Sequence, residues 1–133
     1  MQRVLIVEDE IFVALELESI LEELGHVVVG IAADTRKAIE LAALSVDVAL
    51  VDYNLRDGAT GAALGQRLAR EFGIKVIFQT ANPTSLGKGV PGTIGVLSKP
   101  HDADQVENAI DFVTGRSPSA PRAFVVFSRD ASA

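Results

Sequence analysis

The chain has 133 residues, a formal net charge of −6, 48% hydrophobic and 23% charged residues, and no cysteine. These values fit one soluble domain with a buried core. They argue against a nucleic-acid surface, which needs clustered Lys and Arg, and they exclude disulfides, zinc–thiolate sites and thiol nucleophiles.

No apolar run reaches the length of a membrane span. The N-terminal "MQRVLIVEDE" turns acidic after a few residues, without signal-peptide architecture. A cytoplasmic protein is expected. Short β-branched runs then alternate with amphipathic stretches. "RVLIV" is nearly continuous and apolar, as in a strand covered on both faces. "EIFVALELESILEELG" has helical spacing, with Phe12, Leu15, Leu17, Ile20, Leu21 and Leu24 near one stripe and the glutamates mostly outside it. Gly25 is the expected stop.

"HVVVGIAA" reads as the second strand, and Asp34 or Thr35 caps the helix "RKAIELAAL". "VDVALVD" is the third strand, "GAALGQRLAREFG" the third helix and "IKVIFQT" the fourth strand. The following "ANPTSLGKGVPGTIG" is rich in glycine and proline, which disfavour a full helix. "VLSKP" is the fifth strand, and Asp102 with Gln105 forms a candidate capping box for "ADQVENAIDFVTG". The tail reads as a linker, "RSPSAPR", followed by a short apolar "AFVVF" that could form an edge strand, cover an apolar patch or help a dimer form. There is no internal repeat and no second domain. Such alternation implies a parallel sheet with right-handed crossovers and helices on both faces. Sites in such sheets form beyond the carboxyl ends of the strands.

At those ends stand Glu8 and Asp9 on strand one, Asp52 on strand three, Thr80 on strand four and Lys99 on strand five. With strand one between two and three, these tips are neighbours. Three carboxylates close together raise one another's pKa values, and a divalent cation relieves the repulsion. Oxygen ligands plus water suit magnesium. With the cation on Glu8 and Asp9, Asp52 can attack phosphorus, while magnesium, Lys99 and Thr80 meet the phosphoryl oxygens. Ala81 leaves the pocket open, and the Asn54 backbone carbonyl is a candidate metal ligand. Taken singly, each residue has a plain reading: the acids cap the next helix, Asp52 is a turn residue, Thr80 a strand residue and Lys99 a solvated lysine. Their conjunction, at least one per equipped tip, favours chemistry. His26 falls at the opposite end of the sheet and reads as structural or surface; His101 reads as a solvated loop residue; Tyr53 and Phe78 read as packing groups.

In "VLIVEDE", "LVDYNLRDG", "VIFQTA" and "VLSKP" the sequence resembles the receiver domain of two-component response regulators, over Arg3 to about Thr114. The resemblance implies a flavodoxin-like α/β fold, a doubly wound five-stranded parallel sheet of order 2-1-3-4-5. It implies magnesium-dependent phosphoryl transfer from a sensor histidine kinase or histidine phosphotransfer protein to Asp52 as phospho-acceptor. Glu8 and Asp9 match the family's acidic pair, Thr80 its hydroxyl and Lys99 its lysine, followed by Pro100. Arg56 stands where many receivers have proline, and Val96 where an aromatic switch is frequent. The short or irregular fourth helix resembles that of stand-alone regulators of alphaproteobacterial type. The expectation is a receiver over residues 1–115 and a tail over 116–133 with no output domain. The protein is then a phosphoprotein of signal transduction rather than a classical enzyme, though it supports its own acyl-phosphate hydrolysis. Output goes to a downstream protein target, without direct DNA binding or membrane attachment, and dimer formation is left open. The alternative is a receiver-like interaction module that never cycles phosphate.

Overall fold

The computed structural model describes residues 1–55, 61–81, 92–99, 102–116 and 124–126. Six strands form one sheet in the order β2-β1-β3-β4-β5-β6. β1 (Arg3–Val7), β2 (Val27–Ala32), β3 (Val48–Asp52), β4 (Lys75–Thr80) and β5 (Gly95–Ser98) are the expected parallel set in the expected order. The sixth strand, β6 (Phe124–Val126), comes from "AFVVF" and pairs antiparallel with β5, Val125 opposite Val96. The apolar tail is therefore an edge strand, the first of its three expected roles. Arg56, Asn82, Pro100, His101, the linker residues 117–122 and most of the segment expected to hold an irregular fourth helix lie outside the described residues.

Strand alternation sorts the core into two layers. Leu5, Val7, Ala49, Val51, Val76, Phe78 and Val96 face α2 (Thr35–Ala42) and α3 (Gly61–Phe72). Val4, Ile6, Val48, Leu50, Ile77 and Leu97 face α1 (Ile11–Glu23) and α4 (Ala103–Val113). Full burial of such side chains stabilises by about 1.5–3 kcal/mol each, and β1 and β3 are apolar on both faces because both are covered. Two glycines let α3 approach closely. A Cβ on Gly61 would strike the carbonyl oxygens of Asp52 and Tyr53, and one on Gly65 would strike the Phe78 ring.

Local chemistry sets the helix ends. Asp34 caps α2 by accepting from the Lys37 N–H at 2.9 Å, and Asp102 caps α4 by accepting from the Gln105 N–H at 2.8 Å. α1 departs from the expected stripe. Ala14, Leu17 and Leu21 are its buried face, whereas Ile11, Phe12 and Leu15 are exposed, Phe12 by 84%. This helix carries apolar residues on more than one face, so spacing alone does not say which face meets the sheet. Tyr53 and Phe78 pack edge to face, ring centroids 5.6 Å apart, as expected of packing groups. No helix among the described residues is long and apolar enough to cross a membrane.

Candidate functional site

The carboxyl ends of β1, β3, β4 and β5 deliver Glu8, Asp52, Thr80 and Lys99 to one rim. The backbone ladder carries on past the strand ends: the Glu8 N–H donates to the Ala32 carbonyl at 2.9 Å and the Lys99 N–H to the Thr80 carbonyl at 2.8 Å. Alternation places Glu8, Asp52 and Lys99 on the sheet face of α1 and α4. A cleft of about 360 Å³ opens above them, lined by Asp9, Asp52, Asn54, Thr80, Ala81, Lys99 and also Glu10. Glu8 is 1%, Asp52 6% and Thr80 3% exposed.

Two carboxylates divide their oxygens in the same way. Glu8 turns Oε2 to the Glu10 N–H at 3.3 Å and Oε1 to the Lys99 ammonium at 2.8 Å. Asp52 accepts from the Asn54 N–H at Oδ1, 3.0 Å, and its Oδ2 lies 3.6 Å from Lys99 Nζ. One oxygen of each thus serves a local turn and the other faces the shared lysine. The plain turn reading and the chemical one are both partly true of Asp52. Glu10 occupies the N-cap of α1 and makes no side-chain cap bond of its own.

The balance of charge is negative. Burial pushes the Glu8 carboxyl above its usual range; the Lys99 hydrogen bond pulls it back, and neighbouring Asp52 pushes it up again. Carboxylate oxygens of Glu8, Asp9 and Asp52 lie within 4.8 Å of one another. One ammonium cannot neutralise three carboxylates, and an oxygen-only donor set of this kind can hold a hard metal cation.

Every expected site residue thus meets at this rim: Glu8, Asp9, Asp52, Thr80 and Lys99, with Asn54 beside them through its backbone. His26 lies at the far end, where its Nδ1 accepts from the Gln2 N–H at 3.0 Å, a structural contact. Glu10, read from the sequence as one of the acids before the next helix, also lines the cleft. Sequence reasoning passed over one residue. Gln79, fully buried on β4 in register with Asp52, gave one signal only, a polar residue in an otherwise apolar strand.

Comparison with known proteins agrees with this geometry. The family described as response regulator receiver domain matches residues 4–111. The phyllosphere-induced regulator PhyR of Methylorubrum extorquens is 34% identical over 110 residues, which are 80% of this chain and 41% of that protein. The receiver domain of Erythrobacter litoralis PhyR superimposes with a TM-score of 0.75 at 32% identity, covering 90% of this chain and 96% of that one. The anti-anti-sigma factor PhyR of Bartonella quintana gives a TM-score of 0.77 at 30% identity, covering 86% of this chain and 47% of that one. The chain spans about two fifths of the length of the curated PhyR relative. With the family model spanning residues 4–111, the chain belongs to the response regulator receiver domain family.

Proposed function

We propose that this chain is a phospho-accepting receiver of a two-component or phosphorelay system. Asp52 takes a phosphoryl group from a phosphohistidine of a sensor kinase or phosphotransfer protein and signals by protein contact. The observation that carries the reading is the placement of Lys99, 2.8 Å from Glu8 and 3.6 Å from Asp52, over three clustered carboxylates at an open cleft. Magnesium fits the donor set of Glu8, Asp9, Asp52 and the Asn54 carbonyl; when bound, it would neutralise charge on phosphoryl oxygens.

The chain's own residues do the rest. The Asn54 N–H fixes one Asp52 oxygen and leaves the other to attack phosphorus. The P–N bond breaks as the O–P bond forms. The imidazole leaves with the bonding pair, neutral because its other nitrogen carries a proton. The Lys99 ammonium and Thr80 hydroxyl meet the charge on the transferred group, and the small Ala81 side chain leaves room for the donor. Hydrolysis reverses the state: water attacks phosphorus, the O–P bond breaks, and the Asp52 carboxylate and inorganic phosphate are released. Asn54, which lines the cleft, borders that path.

The donor docks on the exposed Ile11, Phe12 and Leu15 of α1, since Ile11 and Phe12 adjoin Asp9 and Glu10 at the mouth of the cleft. Likeness to an anti-anti-sigma factor supports output through a protein target. Residues 1–115 form the receiver and 116–133 the tail, and the cytoplasm is the compartment this role requires. A second reading, a module that never cycles phosphate, draws on Val96, fully buried and backbone-paired to β6 where an aromatic switch is frequent.

Labelling with a small acyl phosphate, with and without magnesium, tests the proposal. Magnesium-dependent label on the Asp52 peptide is expected, and its absence favours the non-cycling module. Phe12→Ala should slow transfer from a phosphohistidine protein about tenfold while sparing the small donor. Equal slowing with both donors would remove the docking role.

A further inference from the structure

β4 lies between β3 and β5, so the Lys99 side chain must cross β4 to reach Asp52 and Glu8. The distance between the flanking strands is roughly 10 Å. On that face of β4 the side chain runs from the level of Ala81, opposite Lys99, toward that of Gln79, which pairs in register with Asp52 on one side and Leu97 on the other. Its backbone is engaged, the carbonyl accepting from the Tyr53 N–H at 3.1 Å. Its side chain is fully buried, and neither amide atom has a hydrogen-bond partner among the described residues. A buried carboxamide with both ends unmet is unfavourable, and an apolar residue of like volume would avoid it. Its place beside Asp52, toward which Lys99 reaches, gives the amide a use.

We propose that Gln79 is a positioning residue for Lys99. While the site is unloaded, Glu8 holds the ammonium at 2.8 Å and the amide is left over. When Asp52 carries a phosphoryl group, the ammonium turns to it and releases Glu8; Gln79 Oε1 then accepts one of the three ammonium protons. The amide oxygen is unmet in one state and met in the other. It therefore favours the loaded state by its differential interaction with the two. The inference rests on the phospho-acceptor reading and adds to it a determinant of how far Asp52 stays charged.

The test compares wild type, Gln79→Met and Gln79→Glu as full chains. The Lys99 side-chain resonances are followed by NMR before and after addition of magnesium and beryllium trifluoride, a stand-in for the phosphoryl group on Asp52. Rates of labelling by acetyl phosphate are measured in parallel. Gln79→Met should melt no lower than wild type without metal, since the unmet amide is gone. It should label about tenfold more slowly, the worth of one net hydrogen bond, and lose most of the loading-dependent Lys99 shift. Gln79→Glu, which restores an acceptor, should recover that shift. Were the amide satisfied by a buried water in a purely structural role, Gln79→Met would leave the Lys99 shift and the labelling rate unchanged, and the inference would fall alone. A wild-type chain that does not label on Asp52 overturns the phospho-acceptor reading and this one with it.

Discussion

The two rims of the sheet use polar groups in opposite ways. At the amino end the named groups close on one another. Arg3 donates from Nε to the Ser45 carbonyl at 2.6 Å and from Nη2 to the Leu44 carbonyl at 2.8 Å. Its backbone N–H meets Asp47 at 2.8 Å, and His26 takes the Gln2 N–H. At the carboxyl end, one ammonium serves two carboxylates, a third carboxylate stands within metal-sharing distance, and a buried amide has no partner among the described residues. The first rim spends its hydrogen bonds on fastening strands. The second gathers three carboxylates about one ammonium and keeps the Gln79 amide without a partner among the described residues, an arrangement that suits the proposed receiver site.

Lys99→Met should break this contrast most strongly. It removes the charge proposed to meet the phosphoryl oxygens, and labelling of Asp52 should slow about a hundredfold. A rate within twofold of wild type, measured by intact-mass kinetics, would mean that Lys99 only balances Glu8. Arg3→Met is the counterpart at the amino rim. It should lower stability by about 1–2 kcal/mol through two lost hydrogen bonds and leave the labelling rate unchanged. Urea unfolding beside the labelling assay separates the two effects, and a slowed label would show that the rims are coupled.

The smallest effect is a pH dependence from His26. Burial, and then the N-terminal ammonium, hold its pKa below the usual histidine value. A lowered pKa means that the neutral form is the one the fold prefers. Its contribution is full above the unfolded pKa of about 6.5 and is lost as pH falls through the folded value. Between about pH 7 and pH 5, wild type should therefore lose more stability than His26→Gln, read as the difference in urea midpoints. Parallel curves would deny His26 that role.

Most of this rim was legible because its signals are local. A strand that is apolar to its last residue and then ends on an acid marks a carboxyl tip, and alternation with helices fixes which tips are neighbours. Asp52, Thr80 and Lys99 followed from that. The burial of α1 was not legible: Phe12 and Leu15 fit a helical stripe as well as Leu17 and Leu21 do, and the sheet's geometry chose the other face. β6 was read as one option of three, because a three-residue strand pairs where the tertiary structure leaves an edge. Gln79 was missed because its setting depends on its cross-strand neighbours Asp52 and Leu97, which no spacing within β4 reveals.

The most direct trial of the account is Asp52→Asn. The variant keeps the side-chain oxygen that accepts from the Asn54 N–H and loses the nucleophilic charge. Incubated with acetyl phosphate and magnesium and weighed as the intact chain, wild type should gain one acid-stable, hydroxylamine-labile phosphoryl group and the variant none. Equal uptake by the two chains would place the acceptor elsewhere and contradict the account.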